Sequence, residues 1–216
     1  MAKGQINVTL ESDEKPSKML NTPKKINIVG MSRGELSLAL LSIEPKPANI
    51  KMRENQIWGW VYQKGVKNFD LMTNISKEYR ENLKKTFVIE RLTISKKQIS
   101  SDGTRKYLLK LKDGNEIEAV YIPEKNRGTL CISSQVGCTL NCSFCFTGTQ
   151  KLVRNLSPED IVGQILIVRD DLNEWPYQGI SKNKKRQISN IVMMGMGEPL
   201  YNYEAVRNAL HIFMDN

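Results

Sequence analysis

The chain has 216 residues, 40% of them hydrophobic, with 32 lysines and arginines against 23 acidic residues and a net charge of +9. That apolar share excludes a disordered chain, and no apolar run approaches the roughly 18–20 residues of a membrane-spanning helix. The basic balance favours a polyanionic partner, because each phosphate met by Lys or Arg releases condensed counterions.

Residues 1–28 are polar and mixed in charge, with Pro16, Pro23 and paired Lys24 and Lys25, and read as a flexible N-terminal arm. Residues 29–89 read as a small helical domain. Order is expected from about Ser32, where Ser32-Arg33-Gly34-Glu35 has the form of a capping box, each side chain satisfying the other's free backbone N–H, ahead of Leu36, Leu38, Leu40 and Leu41. A second helix is predicted from about Met52 through Ile57, Trp58, Val61 and Tyr62 until Gly65 ends it. Ser76 caps a third, carrying Tyr79, Leu83 and Phe87, with Lys77, Arg80, Lys84 and Lys85 elsewhere on its surface. Core packing is the expected role of Trp58, Trp60 and Tyr62.

Residues 90–127 change to the pattern of a β-meander, with turn signals at Ser101-Asp102-Gly103 and Asp113-Gly114 and alternation through Tyr107, Leu109 and Leu111. On the strand Ile117 to Ile122, Glu118 lies among apolar residues, where an ionised carboxylate is costly unless it is paired or faces solvent. The residues alone favour a solvent-facing glutamate on an edge strand. Residues 128–216 read as alternating strands and helices. Cys131 sits on the first strand, where a lone cysteine is ordinarily an inert small hydrophobe. Ser157-Pro158-Glu159-Asp160 is a strong helix start, followed by Ile161, Ile165, Val168 and Leu172 on one face. A lysine-rich linker from Lys182 to Arg186 leads to a continuous apolar run, Ile188 to Met194, read as a buried parallel strand. Gly195-Met196-Gly197-Glu198-Pro199 closes it: the glycines permit close backbone approach, and Glu198 is an acceptor for an ammonium group. A last helix, Asn202 to Met214, is expected to bury Val206, Leu210 and Phe213.

Between those elements, Cys138-Thr139-Leu140-Asn141-Cys142-Ser143-Phe144-Cys145 gathers three of the four cysteines on one loop. Three thiolates are soft ligands suited to an iron–sulfur cluster, zinc or Cu(I). A closed zinc site needs a fourth ligand, and the single histidine, His211, is remote in the last helix. The preferred reading is a 4Fe-4S cluster with one iron left open for S-adenosylmethionine. A zinc site completed by Cys131, a disulfide and a metal-free trio remain as rivals. With no secretory signal evident, a cytoplasmic protein with reduced thiols is expected.

The run from Thr129 to Gly137 into these cysteines, Arg154-Asn155-Leu156-Ser157, Ile161-Val162-Gly163-Gln164 and Met193 to Pro199 resemble the RlmN/Cfr family of radical S-adenosylmethionine RNA methyltransferases. The resemblance implies an α/β fold in which an incomplete radical SAM (β/α)6 partial barrel follows a helical accessory domain that handles RNA and a β-meander. It implies Cys138, Cys142 and Cys145 as cluster ligands, Gly197 and Glu198 at the methionine moiety of the cofactor, Glu118 as a proton acceptor near the target adenine, and Cys131 as the thiol that releases product through a transient disulfide. The implied cofactors are a 4Fe-4S cluster and S-adenosylmethionine. The implied partners are 23S rRNA, a subset of tRNAs and an electron donor such as flavodoxin, with neither membrane nor DNA. Methylation at adenine carbon 2 is expected, with carbon 8 as an alternative built from the same parts.

The resemblance also calls for a second active cysteine that carries a methyl group, and all four cysteines here already have other roles. Each further strand-helix unit takes about 30 residues, more than remains after Cys145 for a whole barrel. A chain cut short is the expectation, and an inactive, metal-bound RNA-binding remnant is the alternative to an enzyme.

Overall fold

The computed structural model describes residues 25–125, 127–176 and 186–215. Strand β1 (Ile26–Asn27) pairs in parallel with β2 (Phe87–Val88), so regular structure begins upstream of Ser32. Helix α1 (Arg33–Leu40) carries the complete Ser32/Glu35 capping box. Leu36 and Leu40 point inward, while Leu38 and Leu41 are exposed. Helix α2 (Ile50–Trp58) continues without a break into a π-type turn, Gly59–Gln63, which keeps Trp58, Trp60 and Val61 in the core. Helix α3 (Lys77–Thr86) starts at Ser76, whose side chain accepts the Tyr79 N–H, and buries Tyr79 and Leu83. Phe87, expected on that helix, instead opens β2.

The meander is β3 (Thr93–Ile99), β4 (Arg105–Lys110) and β5 (Glu116–Pro123). It extends into β6 (Gly128–Cys131), antiparallel to β5, and β9 (Asn190–Val192), parallel to β6, in an open sheet of order β3-β4-β5-β6-β9. One face is closed. Tyr107, Leu109, Ile117, Ala119, Tyr121 and Leu130 alternate onto it and are buried, as the two-residue period of a strand requires. Two further strands, β7 (Gln135–Val136) and β8 (Arg154–Asn155), form a separate antiparallel pair after β6.

Helix α4 (Pro158–Asp171) starts with a second complete capping box, Ser157 with Asp160, and buries Ile161, Ile165 and Val168. It makes the crossover from β6 to β9. Two expectations need correction. The run Ile188 to Met194 is not a buried strand: only Asn190–Val192 join the ladder, Ile191 and Val192 are half-buried and Met194 is exposed. β9 has a strand partner on one side alone among the described residues. Helix α5 (Tyr203–Met214) buries Val206, Ala209 and Ile212, while Leu210 faces outward; a helix with apolar residues on several faces takes its buried side from what it packs on, here α4. His211 is exposed. The linker residues 182–185 lie outside the described residues, and no described helix is long and apolar enough to cross a membrane.

Candidate metal and cofactor centre

The cysteine loop leaves β7 and returns through β8, whose pairing of Gln135 with Asn155 and Val136 with Arg154 closes its neck. Gly137 makes the turn out of β7 at φ +76°, and a Cβ there would lie 2.1 Å from the Lys151 carbonyl oxygen, so only glycine fits. Inside the loop, the Leu140 N–H donates to Cys138 Sγ at 3.3 Å, and the Cys145 N–H donates to the Cys142 carbonyl at 3.0 Å. All three thiols are half-buried and unpaired. Cys138, Thr139, Leu140, Asn141 and Lys151 line an open cavity of about 450 Å³. Among the described residues no three His, Cys, Asp or Glu side chains converge into a metal-holding group. The donor set nevertheless suits the implied cluster: three accessible soft ligands on one loop, one of them already accepting a backbone N–H as a coordinated thiolate does. Phe144, inside the loop, is 91% exposed and has no core role.

The Gly195–Pro199 segment is laid against the entrance to this loop. The Met196 carbonyl accepts both the Ser134 N–H (2.8 Å) and the Gln135 N–H (3.2 Å), and the Gly195 N–H donates to the Ile132 carbonyl at 3.0 Å. Gly197 has φ +91°, and a Cβ there would fall 2.4 Å from Gln135 Cβ, so the close approach also requires glycine. The Glu198 carboxylate caps the turn Pro199–Asn202, accepting the Leu200 N–H at 3.1 Å. One oxygen is thereby engaged with the chain itself.

Glu118 and Cys131 share the open face of the sheet. Val120 pairs with Cys131, so Glu118, two residues along β5, is the diagonal neighbour of Cys131 on the same face. Glu118 does face solvent, but β5 is an interior strand between β4 and β6, contrary to the edge position expected. Its carboxylate is 2.7 Å from Lys106 Nζ, and both side chains are close to half-exposed. Burial pushes the Cys131 thiol above its ordinary pKa, and a hydrogen bond from the Met194 backbone only partly offsets this.

The sequence model of the ribosomal RNA large subunit methyltransferase N-terminal domain matches residues 26–89. The dual-specificity RNA methyltransferase RlmN of Roseobacter denitrificans is 56% identical over 200 residues, covering 93% of this chain and 50% of the relative. Its counterpart in Paracoccus denitrificans is 54% identical over 203 residues, covering 91% and 52%. A radical SAM methyltransferase from Sphaerobacter thermophilus, known from a crystal structure, superposes with a TM-score of 0.73 at 34% identity, covering 88% of this chain and 52% of that one. The chain resembles RlmN methyltransferases over about nine-tenths of its own length.

It spans about half the length of the RlmN relatives it matches. Its open mixed sheet with α4 and α5 is the corresponding part of a radical SAM fold, with the accessory helices in front. Three residues that the sequence motifs contain, but to which the sequence assigns no role, tie the centre together. The Gln164 side chain grips the Ser133 backbone on both sides, accepting its N–H at 2.8 Å and donating to its carbonyl at 2.9 Å. The Ser133 hydroxyl donates to the Glu118 carbonyl (2.6 Å) and accepts the Met196 N–H (2.8 Å), joining β5 to the Gly195–Pro199 segment. Gln135 does the same for the cysteine loop. The available signal was three polar residues, Ser133, Ser134 and Gln135, directly after an apolar strand and ahead of the cysteines, where buried polar groups must find partners.

Proposed function

We propose that this chain carries the cluster-bearing and substrate-facing part of a radical S-adenosylmethionine methyltransferase that acts on adenine carbon 2 in 23S rRNA and a subset of tRNAs. The observation that carries the reading is the placement of three unpaired, half-buried thiols on a loop whose neck is pinned to the Gly195–Pro199 segment. Cys138, Cys142 and Cys145 would hold a 4Fe-4S cluster, reduced by a donor such as flavodoxin. Gly197 and Glu198 would meet the amino acid end of S-adenosylmethionine, the Glu198 oxygen not used in the cap accepting from its ammonium. Bound together, cluster and cofactor supply the one-electron cleavage from which radical methyl transfer starts. The chain's own residues would do the rest. Glu118, held beside Lys106, would take a proton at its carboxylate oxygen from the adenine, and the Cys131 thiolate on the same face would attack the sulfur of the methyl-carrying cysteine, forming a transient S–S bond as the S–C bond to the product breaks and its electron pair leaves with the product.

That last cysteine is not among the four in these residues, so RNA methylation is expected only in the presence of polypeptide that provides it. The iron-loaded chain, given S-adenosylmethionine and dithionite under anaerobic conditions, is expected to release 5'-deoxyadenosine, measured by liquid chromatography. An iron-loaded chain that binds RNA yet releases none supports the alternative, a metal-bound RNA-binding protein without turnover.

A further inference from the structure

The Gln135 side chain is fully buried, and each of its polar atoms is engaged. Its Oε1 accepts the Glu198 N–H at 3.0 Å and, more weakly, the Thr139 N–H at 3.4 Å. Its Nε2 donates to Thr139 Oγ1 at 2.9 Å and to Asn155 Oδ1 at 2.8 Å. One amide thus touches the residue after Cys138, the strand that closes the cysteine loop and the residue after Gly197. Backbone contacts join the Gly195–Pro199 segment to Ser134 and Gln135 only at the neck of the loop, through the Met196 carbonyl. The amide reaches past the neck to both working ends. Its position is itself fixed, because the absence of a side chain at Gly197 is what admits Gln135 Cβ and Cγ.

We propose that Gln135 is a positioning residue that sets the cysteine loop and the Gly195–Pro199 segment in one register, so that occupancy of the first is felt at the second. What the two segments hold rests on the function proposed above; the mechanical link does not. A buried amide satisfied on both of its atoms is costly to leave half-paired, so the two segments move together while it is in place. Without it the backbone contacts at the neck and those of Asn155 with Tyr201 remain, but none of them reaches Thr139 or the Glu198 N–H.

Backbone hydrogen exchange at Thr139 and Glu198 tests the link in the metal-free chain. Gln135→Leu, of similar volume, is expected to speed exchange at both amides by about tenfold or more; acceleration at one alone, or at neither, overturns the proposal. Thr139→Val, at an exposed position, removes one acceptor of the Gln135 amide and keeps the test open should the leucine variant fail to fold. It is expected to speed exchange at Glu198 by about twofold to fivefold, and an unchanged rate there overturns the proposal. Loading iron and sulfide provides a second readout: in the parent chain it is expected to slow exchange at Glu198, and in Gln135→Leu to leave it unchanged at equal iron content. Equal slowing in both proteins, or iron uptake by the parent with no change at Glu198, contradicts the coupling. A parent chain that takes up no iron would instead sink the cluster reading, and the metal-free comparison would still decide the role of Gln135.

Discussion

Asp171, the last residue of α4, accepts the Tyr107 hydroxyl from the middle of β4 at 3.0 Å. The same carboxylate takes Lys97 of β3 at 2.6 Å and Arg105 of β4 at 2.8 Å, so one side chain fastens the crossover helix to two strands of the meander. Burial on its own would raise the Asp171 pKa, but the hydrogen bonds from Lys97, Tyr107 and Arg105 outweigh it and hold the carboxyl below its ordinary value. A depressed folded-state value means that its stabilisation is present above the unfolded value near 4 and is lost as pH falls through the folded value. Asp171→Asn is expected to cost about 1–3 kcal/mol at neutral pH and to flatten the acid limb of stability below about pH 4, both read from urea unfolding across pH.

A second fastening is buried deeper. Asp170 accepts from Arg91 Nε at 3.1 Å and Trp175 Nε1 at 2.6 Å and pairs with Lys67 at 2.9 Å, while Arg91 also donates to the Gly65 carbonyl of the helical domain. The Arg91 and Asp170 side chains are 7% and 6% exposed. Removing one partner strands the other charge away from water, so Asp170→Ala is expected to lower stability by about 3–5 kcal/mol. The expected readout is an earlier urea midpoint, with the helical domain, followed by the fluorescence of Trp58 and Trp60 in a Trp175→Phe background, released ahead of the sheet.

Gln164→Leu removes both hydrogen bonds that hold the Ser133 backbone inside the protein. Two buried backbone groups lose their partners, for an expected loss of about 2–5 kcal/mol. Thermal unfolding measures it. Gln164→Glu, which keeps the acceptor for the Ser133 N–H, is expected to lose less near pH 5 than near pH 8, because its carboxyl is then more often neutral.

The four thiols are expected to separate in alkylation. Burial raises the Cys131 thiol, so iodoacetamide is expected to modify it more slowly at pH 8 than an unperturbed thiol, with an apparent pKa above the usual value of about 8.5. Peptide mass spectrometry after timed quenching reads the order. Rapid modification of Cys131 at neutral pH would show a thiolate already activated.

Much of this molecule was legible in the sequence, and the exceptions share a cause. Ser32 and Ser157 announce their helices because a capping box is a local device, complete within four residues. The meander was legible for a similar reason, since alternation through Tyr107, Leu109 and Leu111 is set by the strand period. The ribbons β1–β2 and β7–β8 are two residues wide per strand and carry no periodicity to detect. Glu118 was placed on an edge because the partner strand on its far side, β6, lies beyond a turn and belongs to the next part of the chain. On α5 Val206 is buried as expected, whereas Leu210 gives way to Ile212 because the two are equally apolar and α4 chooses between them. At the candidate centre the cysteine spacing pointed to chemistry at once. The roles of Gln135, Ser133 and Gln164 were harder to see, because the contacts that tie the centre together reach segments 15–63 residues away.

The most direct test is to count iron. Anaerobic reconstitution of the chain with iron and sulfide, read by metal analysis and Mössbauer spectroscopy with and without S-adenosylmethionine, is expected to give about four irons per chain, one of them shifted by the cosubstrate. The iron is expected to be lost in Cys138→Ala, Cys142→Ala and Cys145→Ala but retained in Cys131→Ala. A colourless protein that holds zinc through Cys131 and the other three thiols would contradict it.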